Sequence, residues 1–265
     1  MTVHVAIHGA AGRMGQRLVA LGTNTPGLKI TAALESANHP RLGEDAGTVA
    51  GVGAIGVPLS AEPGDAPIDV VIDFSSPAGV DRIVDLCVQR KSPLVLATTG
   101  LSPEQREKVT AATKQIPLLW APNMSLAVNL LMKLTGVAAN ALKSQASGVD
   151  VEIIERHHRF KEDAPSGTAL KFGEIVAQAM GQEKHVHGRE GQTGARSSGE
   201  IGYHAVRVGD NPGEHTIVFG MLGESIELVV RASNRDCYAH GALAAAKFLA
   251  GKPAGSYDMN DVLGL

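Results

Sequence analysis

Two histidines and a lysine lie close together in the segment 155–168, as His157, His158 and Lys161. The pKa of imidazole lies near neutral pH, and an ammonium group supplies a compact positive charge. The tripeptide Ser166-Gly167-Thr168 follows a proline and is typical of a helix start, where unpaired backbone N–H groups bind anions. The segment therefore combines candidate proton donors with a candidate site for a small anion.

The two histidines are adjacent, so in an extended chain their side chains point to opposite faces. We expect one of them to act on the substrate while the other orients or binds it. A single histidine is more often a polar surface residue or a hydrogen-bonded core residue, but the neighbouring lysine and helix start favour a chemical role here. Ser166 and Thr168 have a second interpretation, as the N-cap and a first-turn residue of the helix, which is compatible with binding.

A glycine-rich turn with Gly9, Gly12 and Gly15 follows the first predicted strand. This GxxGxxG spacing departs from the commoner GxGxxG, because Ala11 stands where the second glycine would be. A strand, a glycine turn and a helix start can together hold a pyrophosphate on backbone amides. Glu35, 20 residues after Gly15, ends the second predicted strand, where a carboxylate can accept hydrogen bonds from an adenosine ribose. The alternative is that the glycines only allow the turn and the close packing of the first helix.

The sequence is compatible with both NADH and NADPH as the cofactor. Ser36 gives Glu35 no basic neighbour, which favours NADH, while Arg13 beside the turn is able to reach the 2′-phosphate of NADPH. NADH is therefore predicted to be used at least as readily as NADPH. The loops 97–100 and 121–124 follow predicted strands at the edge where open α/β sheets bind ligands, and they are candidate nicotinamide contacts. Each is also explained as an ordinary polar turn.

The first half of the chain alternates short apolar strands with helices. This alternation predicts a Rossmann-type, doubly wound α/β fold with a parallel sheet. Ser102 and Gln105 form a capping box ahead of the helix that starts at Pro103. The predicted strands are 3–8, 28–35, 68–74, 94–98 and 118–121, and the predicted helices are 13–21, 79–89 and 103–114.

A second α+β domain with a mixed or antiparallel sheet is predicted after Pro122. A polar, glycine-rich stretch at 181–199 is predicted to be a mobile loop. Residues 1–125 are predicted to form the dinucleotide-binding domain, and residues 126–234 the domain for substrate binding and oligomerisation. Residues 235–265 are predicted to return to the first domain. Other elements predicted here are helices 128–142, 166–180 and 238–249 and strands 149–155, 204–208, 215–219 and 226–232.

Composition argues against several classes of function. The chain has 265 residues, a net charge of −3 and no apolar run near the ~20 residues that a membrane span needs. We therefore expect no nucleic-acid partner and no membrane partner, and the strand-like start of the chain predicts a cytoplasmic protein. Cys87 and Cys237 are expected to pack as small hydrophobic residues. No metal site is expected, because the histidines are not spaced as HExxH or paired with cysteines, and a pair such as His185 and His187 in a mobile loop is more often solvated. Ser166 lacks the setting of an acyl-transfer nucleophile.

Several of these segments resemble the 4-hydroxy-tetrahydrodipicolinate reductases, the dihydrodipicolinate reductases of bacterial lysine biosynthesis. The resemblance covers essentially the whole chain. It is carried by residues 9–15, 97–100, 121–124 and 207–215, and most specifically by Glu-Arg-His-His-Arg-Phe-Lys-Glu-Asp-Ala-Pro-Ser-Gly-Thr-Ala at 155–169. It implies reduction of (2S,4S)-4-hydroxy-2,3,4,5-tetrahydrodipicolinate to (S)-2,3,4,5-tetrahydrodipicolinate with NADH or NADPH and loss of water. It also implies a small dicarboxylate substrate and a homotetramer built through the sheet of the second domain.

The resemblance also implies roles for individual residues. His157 is implied as a proton donor or acceptor, Lys161 as the proton donor and His158 as a substrate contact. Gly167 and Thr168 are implied to hold a substrate carboxylate. The implied nucleotide contacts are Gly9, Ala10, Ala11, Gly12, Arg13, Met14, Glu35, Ala97, Thr98, Thr99, Ala121, Pro122, Asn123 and Met124.

The sequence also departs from the family at Ser36, where many members carry a basic residue, so a strong preference for NADPH is not expected. The residues alone are also compatible with two other functions. One is another NAD(P)-dependent dehydrogenase of amino-acid metabolism, which would not need His-His-x-x-Lys before Ser-Gly-Thr. The other is a non-catalytic protein that senses NAD(H), for which the chain offers no DNA-binding module and no basic face.

Overall fold

The computed structural model describes residues 2–265, and these form two compact units. One unit consists of the chain up to Leu126 together with Asp236–Leu265, and the other is Ala127–Arg235. The second unit is thus inserted into the sequence of the first. No helix within residues 2–265 is both long enough and apolar enough to cross a membrane.

The helices and strands follow one another along the chain as follows. The elements up to Leu142 are β1 (Val3–His8), α1 (Arg13–Thr23), β2 (Leu28–Leu34), α2 (Ala46–Val49), β3 (Leu59–Ser60), β4 (Val70–Asp73), α3 (Pro77–Arg90), β5 (Leu94–Leu96), α4 (Pro103–Ala112), β6 (Pro117–Trp120) and α5 (Leu126–Leu142). The later elements are β7 (Asp150–His157), α6 (Gly167–Met180), β8 (Lys184–His187), β9 (Glu200–Arg207), β10 (Glu214–Met221), β11 (Glu224–Arg231), α7 (Asp236–Leu249), β12 (Gly255–Tyr257) and α8 (Met259–Leu263).

The strands of the first unit form one parallel sheet in the order β12-β6-β5-β4-β1-β2-β3. Val5 of β1 lies beside Ile30 of β2 on one side and Val70 of β4 on the other. Every residue of β4 and β5 is buried, as expected of central strands covered on both faces. Cys87 is fully buried in this unit and Cys237 is partly buried. The prediction of a Rossmann-type, doubly wound α/β fold is confirmed.

The helix α7 completes the core of the first unit although it comes from the far end of the chain. Ala242 and Ala246 are fully buried and belong to the same hydrophobic cluster as Ile7 of β1. A Cβ at Gly241 would lie 1.7 Å from the backbone oxygen of Met124, so only glycine fits where the helix crosses this backbone. Small residues therefore let α7 lie close to the strands that it covers.

The second unit contains a five-stranded sheet in the order β11-β10-β7-β9-β8. β10 pairs antiparallel with β11 and β7, whereas β9 pairs parallel with β7 and β8, so the sheet is mixed. On its inner face, Ile153 and Ile217 belong to one buried cluster with Phe172 of α6. A Cβ at Gly173 would lie 1.6 Å from the hydroxyl oxygen of Tyr203, so this glycine makes room for the tyrosine between helix and sheet.

The prediction of a loop over 181–199 is partly wrong, because β8 lies inside this stretch and pairs with β9. The rings of His185 and His187 stack on Tyr203, with centroids 5.6 Å and 5.0 Å from that of the tyrosine. Both histidines are exposed, and this aromatic contact ties them to the sheet. The strand was missed because β8 is an edge strand, and edge strands are often short and polar.

Ion pairs hold the rest of this stretch to the sheet. Arg189 and Arg196 both donate hydrogen bonds to the carboxylate of Glu152 on β7. Burial raises the pKa of Glu152, but hydrogen bonds from Arg189, His204 and Arg196 outweigh it and bring the pKa to about 2. The strand predicted from 204 also begins earlier, at Glu200, and the short elements α2, β3, β12 and α8 were not predicted.

Candidate active site

The glycine turn after β1 packs tightly against its surroundings. Gly9 has a φ of +79°, and a Cβ there would lie 2.7 Å from the backbone oxygen of Phe74. A Cβ at Gly15 would lie 2.0 Å from the backbone oxygen of Gly9, so α1 begins in direct contact with the turn. Gly12 is exposed, and a Cβ there would meet only the same oxygen, at 3.1 Å. The fold itself therefore requires Gly9 and Gly15, whereas Gly12 leaves its backbone accessible to a ligand.

Glu35 follows β2 and is held beside this turn. Its Oε1 accepts a hydrogen bond of 2.8 Å from the backbone N–H of Ala11. Such a fixed carboxylate suits the hydroxyl groups of a ribose, and the accessible backbone of the turn suits a pyrophosphate, so the residues present fit a nicotinamide dinucleotide. They border a cleft of about 460 Å³ whose lining includes Gly9, Gly12, Glu35, Ser36, Phe74 and Arg82.

Burial separates the other predicted nucleotide contacts into two kinds. Buried residues present little surface to a cofactor, whereas the others also offer side chains. The buried ones are Ala10, Ala97, Thr98, Ala121 and Met124, and the partly or fully exposed ones are Ala11, Arg13, Met14, Thr99, Pro122 and Asn123.

A buried polar cluster that the sequence analysis missed lies at the carboxyl ends of β1, β4 and β5. Asp73 is fully buried and accepts hydrogen bonds from His8 Nδ1 at 2.5 Å, from Ser75 Oγ at 2.7 Å and from Thr98 Oγ1. The hydroxyl group of Thr98 therefore faces the core, and only its backbone can serve as the predicted nicotinamide contact. The available signal was a polar residue at the end of each of these apolar strands.

In the second unit, β7 places the first candidate proton donor on the inner face of the sheet. Strand alternation buries Ile153, Glu155 and His157, and His157 is the last residue of the strand. Nδ1 of His157 donates a hydrogen bond of 2.6 Å to Oε2 of Glu155. The ring of His215 lies edge-on to that of His157, with 5.3 Å between the centroids. Burial lowers the pKa of His157, although the bond to Glu155 acts in the opposite direction.

Glu155 is the centre of this network, and the sequence analysis gave it no role. Its side chain is almost completely buried, yet it accepts hydrogen bonds from His157, from both terminal nitrogens of Arg207 and from the backbone N–H of Ser166. Burial raises the pKa of Glu155, but the bonds from Arg207 and His157 outweigh it, so the pKa lies below its ordinary value. A charged residue at an inward position of an apolar strand was the available signal.

The start of α6 is held by Ser166, which is its N-cap. The Oγ atom of Ser166 accepts a hydrogen bond of 3.1 Å from the backbone N–H of Ala169 and lies 3.0 Å from Nε2 of His215. Burial, with a further contribution from His157, lowers the pKa of His215 to about 4, so His215 is neutral near pH 7. Gly167 is exposed, and no neighbouring atom lies within 4 Å of a Cβ built there. No atom from elsewhere in the unit therefore covers the side of the helix start where a side chain at position 167 would lie.

Lys161 and His158 lie in the loop between β7 and α6. Nζ of Lys161 is 2.8 Å from Oδ1 of Asp163. Hydrogen bonds from Lys161 and from the backbone N–H of Gly167 keep the pKa of Asp163 below its ordinary value. Nδ1 of His158 is buried and has no hydrogen-bond partner within residues 2–265, which is unusual for a buried polar atom and suits a ligand contact. Thr168 is half-buried in the first turn of α6.

This segment of the second unit can therefore bind an anion and move a proton. His157 leaves Nε2 for a ligand, Lys161 supplies a positive charge, and α6 supplies the positive end of its dipole. Lys161 and the N–H of Gly167 already meet one carboxylate, that of Asp163, which demonstrates that they can hold such a group. In the part of the chain that the structure describes, no group of three or more histidine, cysteine, aspartate or glutamate residues could hold a metal ion.

Both units match known proteins. The family described as "Dihydrodipicolinate reductase, N-terminus" matches residues 3–124, and the one described as "Dihydrodipicolinate reductase, C-terminus" matches residues 127–263. Two relatives are named 4-hydroxy-tetrahydrodipicolinate reductase. The one from Rhodopirellula baltica is 58% identical over 99% of this chain and 96% of its own, and the one from Syntrophotalea carbinolica is 47% identical over 99% of each. A solved structure of a dipicolinate-bound dihydrodipicolinate reductase from Paenisporosarcina sp. TG-14 superposes with a TM-score of 0.77 at 27% identity, covering 97% of this chain and 98% of the other.

Proposed function

This chain belongs to the dihydrodipicolinate reductase family, and we propose how its residues carry out the family's reaction. The protein reduces (2S,4S)-4-hydroxy-2,3,4,5-tetrahydrodipicolinate to (S)-2,3,4,5-tetrahydrodipicolinate with release of water, a step in lysine and diaminopimelate biosynthesis. The observation that carries the proposed mechanism is the grouping of His157, Lys161 and the start of α6 within one segment. No observation favours the other dehydrogenases or the NAD(H) sensor.

The substrate carboxylates are proposed to bind at the start of α6 and at Lys161. Gly167 and Thr168 stand at the positive end of the helix dipole, where a carboxylate is stabilised by backbone N–H groups. Binding requires the substrate to replace the exposed carboxylate of Asp163 at Lys161 and Gly167, an exchange of one anion for another. The unpartnered Nδ1 of His158 supports its proposed role as a substrate contact.

Proton transfer is proposed to use Lys161 and His157. When bound, the nicotinamide cofactor supplies a hydride to the ring, and the complete reaction also consumes one proton. Lys161 is proposed as the donor of that proton, and His157 as a donor or acceptor in the same step. Because Glu155 holds Nδ1 of His157, only Nε2 of this ring can exchange a proton with the substrate.

The reaction can be tested directly with the product of dihydrodipicolinate synthase as substrate. We expect the absorbance of NADH, and that of NADPH, to fall when purified protein is added to this coupled assay. Absence of oxidation with both cofactors, under conditions where a control reductase works, would exclude the proposed activity. The substrate is a small dicarboxylate made in metabolism, in keeping with the cytoplasmic location that we propose.

Glu35 is proposed to bind the adenosine ribose, so that NADH serves at least as well as NADPH. Glu35→Ala removes a charged hydrogen-bond acceptor, which is worth about 1.5–3 kcal/mol, or roughly tenfold to hundredfold in affinity. We expect the Kd for NADH to rise by this factor and the Kd for NADPH to change less, since a carboxylate disfavours a 2′-phosphate. The exposed Glu107→Ala in the same unit is the matched control. Equal losses with both cofactors would contradict the role of Glu35 in selecting between them.

A homotetramer is proposed, with the outer face of the second unit's sheet as the interface. The residues Ile154, Val206 and Val229 lie on this face and are 40%, 39% and 36% exposed. Exposed apolar side chains on one sheet face are typical of an association surface. Light scattering is expected to give the mass of four 27.5 kDa chains, and Ile154→Glu to give smaller species. A monomeric wild-type protein at micromolar concentration would contradict this proposal.

A further inference from the structure

One buried carboxylate connects the two functional elements of the second unit. We propose that Glu155 is a positioning residue of the reaction, because it holds both His157 and the start of α6 in a fixed arrangement. Proton transfer and carboxylate binding then depend on the same group. This inference rests on the functions proposed above for His157 and for the helix start.

The first contact of Glu155 orients the imidazole of His157. A carboxylate that accepts a hydrogen bond from Nδ1 at 2.6 Å places the proton of the neutral ring on Nδ1. Nε2 then remains without a proton and is the atom that can accept one. Glu155 is 1% exposed and His157 is 8% exposed, so water competes little for this bond.

The second contact of Glu155 holds the helix start. Its Oε1 accepts a hydrogen bond of 3.1 Å from the backbone N–H of Ser166, the N-cap residue of α6. The side chain of Ser166 is itself bonded to Ala169 and His215, so both its backbone and its side chain are held. The position of the first turn of α6 is thereby fixed relative to the imidazole of His157.

Arg207 balances the charge of Glu155. Its two terminal nitrogens donate hydrogen bonds of 2.8 Å and 2.7 Å to the two carboxylate oxygens. One of them also donates to the backbone oxygen of Asp163 at 2.6 Å, in the loop that carries Lys161. An ion pair that only joined β7 to β9 would need no bond to His157 or to Ser166. These two further bonds are what point to a positioning role.

The charge of Glu155 also shifts the pKa of His157, and the direction of this shift can be tested. Burial lowers the pKa of His157, Glu155 raises it, and Lys161 and Arg207 lower it. Glu155→Gln should therefore lower this pKa further, whereas Arg207→Gln should raise it. A general loosening of the structure would relieve burial and move the pKa upward towards its ordinary value. The charged or titratable side chains that face His157 are Glu155 on β7, Arg207 on β9, His215 on β10 and Lys161 in the loop.

The test uses the full-length protein labelled with ¹⁵N in histidine, without cofactor or substrate. In the wild type, the imidazole shifts of His157 are expected to show the Nδ1–H tautomer at high pH. In Glu155→Gln we expect the pKa of His157 to fall by about one unit. In a separate coupled assay with cofactor and substrate, we expect kcat of this variant near pH 7 to fall at least tenfold. Glu183→Gln, which removes an exposed charge from the same unit, is the matched control and should change neither value.

Three results would overturn the proposal: an Nε2–H tautomer in the wild type, an unchanged or raised pKa of His157 in Glu155→Gln, or an unchanged kcat in that variant. If Glu155→Gln does not fold, the proposal is tested by the tautomer of His157 in the wild type and by the pKa of His157 in Arg207→Gln. An unchanged pKa of His157 in Arg207→Gln would count against the proposal. The tautomer and the pKa are read without catalysis. Failure of the reductase assay therefore leaves them intact, and their failure leaves the reductase activity intact.

Discussion

Lys161→Ala is expected to lower kcat for the reduction by about 10²- to 10⁴-fold, while the Kd for NADH stays within about twofold. The loss is large because the variant removes both a proton donor and a positive charge at the proposed carboxylate site. The nucleotide turn and Glu35 lie in the other unit and keep their contacts. Steady-state kinetics and NADH titration by fluorescence measure the two quantities separately.

His157→Ala is the companion variant, with a similar loss expected because Nε2 of His157 is the proposed second proton-transfer atom. Lys143→Ala, an exposed lysine near the end of α5, is the matched control and should retain normal turnover. Nearly normal turnover in both Lys161→Ala and His157→Ala would rule out the assignment of proton transfer to this segment. A large loss of NADH affinity in either variant would show that the defect is not confined to the proton-transfer step.

Gly15→Ala and Gly12→Ala are expected to fail in different ways. A Cβ at Gly15 would lie 2.0 Å from the backbone oxygen of Gly9 and 2.6 Å from Cα of Ala10, so the backbone itself would have to shift, and we expect a loss of more than about 3 kcal/mol in stability or failure to fold. A Cβ at Gly12 would lie 3.1 Å from the same oxygen, so only a small local shift is needed and we expect a smaller loss of stability. It would occupy the surface where a pyrophosphate is proposed to lie, so we expect the Kd for NADH to rise at least tenfold.

Thermal unfolding and NADH titration distinguish these two outcomes. Gly136→Ala on α5 of the second unit is the matched control, because its φ is not positive and an added Cβ would lie 3.5 Å from Ile175, an ordinary contact. If Gly12→Ala binds NADH normally, the pyrophosphate does not contact this part of the turn. If Gly15→Ala is as stable as the wild type, the packing of α1 on the turn does not require a glycine at this position.

Much of the site follows from local sequence patterns, and the parts that were missed depend on distant partners. The strand–turn–helix at Gly9 is a continuous segment, and period-two alternation places the side chain of His157 on the inner face of β7. The pairing of Glu155 with Arg207 joins positions 52 residues apart, and it depends on the register between β7 and β9. No local pattern specifies that register.

The cluster around Asp73 was also missed because its members are far apart in the sequence. His8 and Asp73 are 65 residues apart and become neighbours because β1 pairs with β4. The edge strand β8 was missed for a different reason, since its exposure to solvent permits a polar sequence that resembles a loop. Patterns within one segment thus predicted the residues that are proposed to carry the chemistry, while the groups that hold them in place became visible only with the sheet order.

The insertion of the second unit into the first also bears on the order in which the chain can fold during synthesis. Residues 127–235 leave the ribosome before α7 does, so the inserted unit has its full sequence available first. The first unit must wait for α7, which packs against α1 and against strands β4, β5 and β6. Until then, the apolar surface that Ala242 and Ala246 later cover is exposed. The unit that starts the chain is therefore the last to be completed.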